Sequence, residues 1–453
     1  MSEQVRLRPK ERDAILQSLR AGVVPRLGLH HIQVGRAQEV QALLRDIERI
    51  ADGGSTIRFI IGEYGSGKTF FLHLIRAIAI EKGLVTVHAD LAPDRRLHAT
   101  GGQARNLYAE SMRNMATRTK PDGGALPSVV ERFVSSALKE ARESGQKVER
   151  VIHNRLEQLS EMVGGYDFAQ VILGYWTGHD SGNEQLKSDA VRWLRGEFST
   201  KTDARAALGV RTIVDDANVY DHFKLMARFI RLAGYNGLLI GLDEMVNLYK
   251  LANTRARNSN YEQILQILND SLQGVAVGVG FVMNGTPDFL MDTRRGLYSY
   301  PALQSRLAEN RFAASAGVVD YSSPGIRLAS LIPEDLYVLL GKIRHVFASG
   351  DPQRYLIPDE ALQEFMAHCS KRIGDAYFRT PRNTVRSFVD MLSVLEQNSH
   401  LSWKTLLGDV QIEPDTPLDL EPLVEDTEDQ DSASALSSNQ QKSADDDLTS
   451  FKL

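Results

Sequence analysis

A glycine-rich loop between an apolar run and a helix-like stretch is the feature that most constrains the fold of this chain. Apolar residues 59–61 precede the loop, and the mostly apolar stretch 70–80 follows it. The loop has the pattern G-x-x-x-x-G-K-T and consists of Gly62, Glu63, Tyr64, Gly65, Ser66, Gly67, Lys68 and Thr69. A turn of this kind between a buried strand and a helix directs backbone N–H groups at phosphate oxygens, with the positive end of the helix dipole behind them. The order of strand, loop and helix therefore predicts a nucleotide-binding site.

Two residues of this loop have individual predicted roles. Lys68 is expected to reach the β- and γ-phosphates of ATP, and the Thr69 hydroxyl is expected to hold Mg²⁺. The predicted cofactors are thus ATP and Mg²⁺.

A second apolar run, residues 238–242, ends in the two carboxylates Asp243 and Glu244. At the C-terminal end of a parallel strand beside the phosphate loop, Asp243 would bind Mg²⁺ directly or through water. Glu244 would polarise the attacking water. Two acids at the start of a helix would look similar, so this prediction depends on the phosphate loop upstream.

A third apolar run, residues 275–283, is followed by small polar side chains. Asn284 is the first candidate for sensing the γ-phosphate or the attacking water, and Thr286 is the second. Asn-Gly and Thr-Pro also form turns in their own right, so a simple turn at the strand end is the alternative.

Two arginines are further candidates. Arg306 lies in a predicted helix after the third run, where it could reach the γ-phosphate of a neighbouring subunit; Arg294 and Arg295 compete for this role, and a surface salt bridge is the alternative. Arg382 follows a proline at a predicted helix start and could fold back onto bound nucleotide. Its alternative is a solvated residue at the start of a helix.

Strands separated by helices predict an α/β P-loop NTPase fold with a parallel sheet and helices on both faces. Lys68 and Asp243 are 175 residues apart, which indicates a helical insertion; within it, residues 177–182 are predicted to be a loop. The chain is predicted to divide into five parts. Residues 1–104 form an N-terminal helix and the first part of the ATPase core, 105–230 the insertion, 231–332 the rest of the core, 333–412 a C-terminal helical lid and 413–453 a disordered acidic tail.

The net charge of −5 hides an asymmetry along the chain. Residues 413–453 carry twelve Asp and Glu but two Lys, whereas residues 1–412 carry 51 Lys and Arg against 46 Asp and Glu. That mild basic surplus is far short of the charge of a dedicated nucleic-acid binder, so the charge allows DNA binding without indicating it. The basic residues that could contact phosphates, although a solvated face is the favoured interpretation, are Arg113, Arg118, Lys120, Arg255 and Arg257.

Several classes of protein and site are not expected. The single cysteine, Cys369, allows no internal disulfide and no cysteine-based metal site. The chain has no apolar run long enough to span a bilayer and no apolar segment near its start, so we expect a cytoplasmic protein without a membrane partner. His30 and His31 are adjacent and are not expected to face one metal from one side of a helix, so no transition metal is predicted.

Taken in order, these motifs resemble those of AAA+ ATPases, in a layout similar to that of origin-recognition and related initiators. The motifs are residues 34–36, 62–69, 238–244, Asn284, Arg306 and residues 381–382. More specifically, the chain resembles the ATP-binding proteins of bacterial BREX phage-defence systems, the BrxC/BrxD-like P-loop family. The stretches that carry this resemblance are 62–68, 193–197, 243–250, 260–262, 285–287 and 294–298.

The resemblance implies an ATPase subunit of a multi-gene antiphage system that works beside other defence proteins, such as a helicase or methyltransferase component. A role of Arg306 in a neighbouring subunit would require a homo-oligomer. One alternative is an ATP-gated scaffold or switch with little hydrolysis. Another is a DNA-loading or remodelling motor related to replication initiators. The chain after Arg382 is short for the winged-helix domain that initiators use on DNA, which weakens the case for sequence-specific binding.

Overall fold

A five-stranded parallel sheet forms the centre of the molecule. The structure is a computed structural model and describes residues 7–409. The strands are β1 Ser55–Gly62, β2 Val85–Asp90, β3 Leu238–Asp243, β4 Val279–Gly285 and β5 Gly325–Leu328. They lie in the order β2-β3-β4-β1-β5, and every neighbouring pair is parallel.

The register of the sheet aligns the C-terminal ends of its strands. Ile61 near the end of β1 lies beside Gly285 at the end of β4, and Asp90 at the end of β2 lies beside Asp243 at the end of β3. The loops that follow these strands therefore leave the sheet along one edge. Ligands of open α/β sheets bind at this edge.

Of the first four helices, the third and fourth cover one face of the sheet. These helices are α1 Pro9–Arg20, α2 Leu29–Ile32, α3 Ala37–Ala51 and α4 Lys68–Glu81. Leu43 and Ile47 of α3, with Phe71 and Ile75 of α4, recur at helical spacing and pack in one apolar cluster with residues of β1, β3 and β4.

The other face is covered by helices of the insertion. They are α5 Gln103–Arg113, α6 Leu126–Ser144, α7 Val148–Leu156, α8 Gly165–Ser181, α9 Glu184–Leu194, α10 Lys201–Leu208 and α11 Val219–Leu232. Their apolar side chains form one continuous core with the sheet, which joins Phe133 and Phe229 to Val87 of β2 and Ile240 of β3. Helices thus pack on both faces, and the predicted α/β P-loop fold is confirmed.

The predicted loop at residues 177–182 is wrong, because α8 continues to Ser181 and ends at Gly182, whose φ is 70°. The hydroxyl groups of Thr177 and Ser181 donate to backbone carbonyls four residues earlier, at 3.0 and 2.6 Å. These bonds satisfy side chains that are otherwise poor helix formers.

Five further helices follow strands β3 and β4. They are α12 Val246–Tyr249, α13 Thr254–Leu272, α14 Pro287–Met291, α15 Pro301–Leu307 and α16 Arg311–Ala316. Strand β5 follows them and pairs with the last residues of β1, from Phe59 opposite Gly325 to Gly62 opposite Leu328.

The C-terminal helices form a separate apolar cluster together with α1. They are α17 Pro333–Phe347, α18 Asp359–Ile373, α19 Ala376–Arg379, α20 Arg382–Gln397 and α21 Trp403–Asp409. Ile15 and Leu16 of α1 belong to the same cluster as Leu336 and Phe388. The first helix of the chain therefore packs with its last helices.

The acidic tail predicted for residues 413–453 lies outside the described residues. Among the helices of residues 7–409, we find none with the length and apolar character needed to cross a membrane.

Candidate nucleotide-binding site

The phosphate loop has the backbone that close approach of a phosphate requires. Gly65 and Gly67 have φ values of 80° and 84°, a region that favours glycine, and α4 begins directly after Gly67. Ser66 is 3% exposed, and its Oγ atom has no hydrogen-bond partner among the described residues. The first N–H groups of α4 are also without helical partners, as at any helix start. The loop therefore presents polar donors to the cavity above it.

Lys68 lies folded over this loop. Its Nζ atom donates to the carbonyl oxygens of Gly62 at 2.8 Å and Glu63 at 2.9 Å. Burial lowers the pKa of this ammonium group, although the nearby carboxylates of Asp243, Glu244 and Glu63 oppose the shift. A phosphate group would supply the full negative charge that these two neutral carbonyls lack.

Thr69 and Asp243 meet across the gap between α4 and β3. The Thr69 Oγ1 atom donates to Asp243 Oδ2 at 2.8 Å, and Asp243 Oδ1 accepts the backbone N–H of Glu244 at 2.8 Å. Asp243 is 5% exposed. The Thr69 hydroxyl and a carboxylate oxygen of Asp243 thus lie side by side, and oxygen atoms are the ligands that Mg²⁺, a hard cation, prefers.

Glu244 stands at the rim of the cavity in an unusual backbone conformation. Its φ of 57° lies in the left-handed region, which costs free energy for a residue with a side chain. The residue is exposed, yet protein packed around its carboxyl group removes enough water to raise its pKa, and the carboxylates of Asp243 and Asp90 raise it further. A raised pKa makes this carboxylate a stronger base.

Asn284 has a side chain with both polar atoms unused. It is 1% exposed and lines the cavity, and neither Oδ1 nor Nδ2 has a hydrogen-bond partner among residues 7–409. Thr286 also lines the cavity, but its Oγ1 accepts the backbone N–H of Phe289 at 3.3 Å and so caps α14. Of the two predicted sensor candidates, Asn284 is the one with polar atoms available to a ligand.

The cavity above the loop has a volume of about 530 Å³ and two chemically different ends. Lys68, Thr69 and the strand-end residues line the polar end. The other end is lined by apolar side chains from the segment after α1 and from the C-terminal helices, including Val23, Pro25, Ile32, Ile343 and Val385. A polar phosphate end and an apolar end match the two parts of a nucleotide.

Arg36 is a site residue to which sequence analysis gave no role of its own. Its φ is 63°, and its Nη2 atom donates to the carbonyl oxygens of Ser66, at 3.2 Å, and Ala329. Burial lowers its pKa, and Glu39, whose Oε1 is 3.8 Å from its Nη1, partly offsets this. Arg36 thus connects the start of α3 to the phosphate loop. The available signal was an arginine after a glycine, directly before a helix.

Arg382 lines the cavity at the start of α20, as its predicted role requires. Its Nε atom donates to the carbonyl oxygen of Gly22, in the segment after α1. The guanidinium group therefore connects the start of α20 to the segment after α1, and both line the cavity.

Arg306 is not among the residues that line this cavity. It is exposed on α15, where its Nη1 donates to the carbonyl of Ala302 at 2.9 Å. Of its competitors, Arg294 is exposed, whereas Arg295 donates to the carbonyls of Tyr249 and Leu251 at 3.0 and 3.1 Å. Arg306 and Arg294 therefore remain available to a second molecule, and Arg295 has a structural role.

Some basic residues considered for DNA contact are used within the chain. Arg257 is 6% exposed and donates to the carbonyl of Leu251 at 2.7 Å. Arg113 pairs with Glu197 at 3.4 Å. Arg255 is exposed, and so is Arg118, whose Nε is 3.9 Å from a carboxylate oxygen of Glu81.

The phosphate loop, the two acidic residues and the end of β4 thus surround one cavity. A comparison with protein families shows to which family the chain belongs. The model of the BREX system ATP-binding protein BrxC/D family matches residues 7–411. The chain belongs to this family. The resemblance predicted from the motifs is confirmed, and ATP is the ligand given by the description of the BrxC/D family. A search of curated proteins found no match.

Proposed function

We propose that this BrxC/D-family protein hydrolyses ATP with Mg²⁺ and uses the nucleotide cycle to control its assembly with other proteins of the defence system. The observation that carries this proposal is the contact of Thr69 with Asp243, beside a carboxylate at Glu244 whose pKa is raised. This is the arrangement expected of a hydrolytic P-loop site, in which a hydroxyl and an acid hold the metal and a second acid acts on water.

Each residue has a distinct proposed part. Lys68 and the loop amides bind the phosphates, while Thr69 and Asp243 would hold Mg²⁺, which neutralises charge on the β- and γ-phosphates when bound. Glu244 accepts a proton from the attacking water, and the Asn284 amide orients that water or the γ-phosphate. The apolar end of the cavity would receive the adenine base.

Two arginines that belong neither to the phosphate loop nor to the acidic pair favour a conditional ATPase over a constitutive one. Arg382 connects the C-terminal helices to Gly22 beside the cavity, and Arg306 is exposed, so that it could act on a neighbouring copy. The strand order, read from β5 to β2 as 5-1-4-3-2, supports the AAA+ layout in which such contacts occur. We therefore propose a homo-oligomer in which turnover depends on assembly.

The decisive experiment compares Glu244→Gln with the wild-type protein. Calorimetry should give the same ATP affinity, because the amide keeps the shape of the side chain. Phosphate release should fall by about 100-fold or more, because the base is lost. The control is Glu81→Gln, at the exposed end of α4. Unchanged phosphate release would show that Glu244 does not activate water.

A second candidate function is an ATP-gated switch in which binding alone orders the complex. It is favoured by the direct contact of Gly65 with Thr380, which joins the phosphate loop to the C-terminal helices. Under this function the wild-type protein would bind ATP without releasing phosphate at any protein concentration, with or without double-stranded DNA. Hydrogen exchange in residues 376–397 would nonetheless slow on ATP binding.

A further inference from the structure

Three potential metal ligands converge at the junction of α1 and α2. One ligand atom from each of Glu11, His30 and His31 lies within 4.8 Å of the other two. The His31 Nε2 atom is 3.5 Å from Glu11 Oε2, and the two imidazole rings have centroids 4.0 Å apart at an angle of 42°. The premise that these two histidines cannot face one ion is therefore wrong. Helix α2 has four residues, and the third ligand comes from a different helix.

The packing of the two helices fixes this arrangement. Gly28, directly before α2, has a φ of 71°, and a Cβ atom there would lie 2.8 Å from Ile15 Cδ1 and 3.2 Å from Glu11 Cβ. A side chain at this position would press against α1 at the level of Glu11, and the left-handed φ favours glycine as well. Ile15 and Ile32 are buried in the same apolar cluster, which holds both helices in place.

His31 carries an unused polar atom within this arrangement. Its Nε2 is buried and has no hydrogen-bond partner among the described residues, because its contact with Glu11 lacks hydrogen-bond alignment. The Glu11 carboxylate is already oriented by the backbone N–H of Arg8, which donates to Oε2 at 3.0 Å. A cation between the two side chains would give the buried nitrogen a partner.

We propose that Glu11, His30 and His31 form a binding site for a divalent transition metal of the zinc class. Imidazole nitrogens and a carboxylate oxygen are ligands that Zn²⁺ prefers, whereas Mg²⁺ prefers oxygen alone. Three protein ligands leave a fourth position for water.

The site is separate from the nucleotide cavity but adjacent to it. None of the three ligands lines that cavity, whereas Ile32, Gln33 and Arg36 do so a few residues further along the chain. A bound metal would connect α1, and with it the C-terminal helical cluster, to this wall of the cavity. Metal binding is expected to stabilise the folded chain, because the unfolded chain does not hold the ligands together.

Calorimetry tests the proposal on the full chain, freed of metal with a chelator and titrated with Zn²⁺ at neutral pH without nucleotide. We expect one saturable site whose affinity falls at least 10-fold in His31→Ala and in Glu11→Gln. Loss of a residue that only supports a metal ligand already weakens metal binding, and loss of the ligand itself should weaken it more. The matched control is His153→Ala, an exposed histidine on α7, which should bind Zn²⁺ like the wild type.

Two further measurements keep the result independent of folding and of ATP chemistry. His30→Ala removes an exposed side chain, so it should keep the circular dichroism spectrum of the wild type while losing Zn²⁺ affinity. Lys68→Ala should keep Zn²⁺ binding, and millimolar Mg²⁺ should not compete. Absence of saturable binding, or equal affinity in wild type, His30→Ala and His31→Ala, would overturn the proposal without affecting the proposed ATPase function.

Discussion

Thr380 lies so close to Gly65 that a Cβ atom on Gly65 would be 2.8 Å from the Thr380 Cα atom and 2.9 Å from the carbonyl oxygen of Arg379. The phosphate loop is thus in direct contact with the segment between α19 and α20. Because backbone atoms cannot move aside as a flexible side chain can, a movement of the loop toward this segment would shift the C-terminal helices as well.

Gly65→Ala should therefore weaken ATP binding and lower the free energy of unfolding. The positive φ alone costs about 1–2 kcal/mol for alanine, and the contact with Thr380 adds to this. The control is Gly145→Ala, whose φ is 66° but where a Cβ atom would have no neighbour within 4 Å in the part of the chain that the structure describes. Chemical denaturation should give a clearly larger loss for Gly65→Ala. Equal losses would mean that the contact contributes nothing.

Lys68→Ala should abolish ATP binding, because the removed ammonium group is the cation that lies over the phosphate loop. The fold should be unaffected, since Lys68 donates to carbonyls of its own loop and makes no carboxylate pair shorter than 4.0 Å among the described residues. Lys82→Ala, just after the other end of α4, should bind like the wild type. Retained ATP affinity in calorimetry would refute the assignment of this loop.

Asn284→Ala should reduce turnover by about 10-fold or more while leaving the stability nearly unchanged. The amide is buried without hydrogen-bond partners among residues 7–409, so its removal relieves a desolvation cost that offsets the lost packing. We expect the free energy of unfolding to change by less than about 1 kcal/mol. Thr286→Val, by contrast, should destabilise by about 1 kcal/mol, because it removes the cap of α14. A strongly destabilised Asn284→Ala would indicate a structural amide.

Arg306 can be tested by mixing two inactive variants. If its guanidinium group acts on a neighbouring copy, Arg306→Ala mixed with Glu244→Gln should recover part of the activity, because some interfaces then combine an intact arginine with an intact acid. Arg294→Ala in place of Arg306→Ala is the matched comparison, since both side chains are exposed. No recovery at any mixing ratio would count against a role in trans.

Two half-buried histidines predict a loss of stability in mild acid. Burial, with Arg76 nearby, lowers the pKa of His73 to about 4 and that of His88 to about 3. The unfolded chain takes up protons at these side chains below about pH 6.5, but the folded chain does not do so until the lower values are reached. The free energy of unfolding should therefore be greatest above pH 6.5 and fall between pH 6.5 and 4.

Each of the two histidines contributes at most about 1.4 kcal/mol per pH unit to this fall. His88→Gln should give a shallower dependence in urea unfolding, whereas His153→Gln, at an exposed position, should give the wild-type slope. Identical slopes for all three proteins would show that His88 does not titrate as its burial implies.

Local sequence patterns predicted the parts of the fold and site that local physics determines. The strands around Asp243 and Asn284 were recognisable as apolar runs that end in polar residues, and the loop before Lys68 has spacing set by phosphate geometry. Strand β5 was missed because four residues with one partner strand leave too short a pattern.

Contacts between distant parts of the chain had no such signal. The hydrogen bond of Arg382 to the Gly22 carbonyl joins residues 360 positions apart, and no periodic pattern in the sequence indicates such a contact. The packing of α1 with the C-terminal helices likewise depends on complementary apolar surfaces rather than on spacing. The convergence of Glu11 with the two histidines depends on the left-handed turn at Gly28, whose direction one glycine in a sequence does not specify.

The apolar core shared by the insertion and the sheet makes residues 105–230 inseparable from the ATPase. A shortened chain without them would leave Val87 and Ile240 facing water, and an isolated insertion would expose Phe133 and Phe229. Either fragment would be prone to aggregation. A partner bound to the outer surface of these helices would consequently be held rigidly relative to the nucleotide, with no hinge between the surface that binds the partner and the nucleotide site.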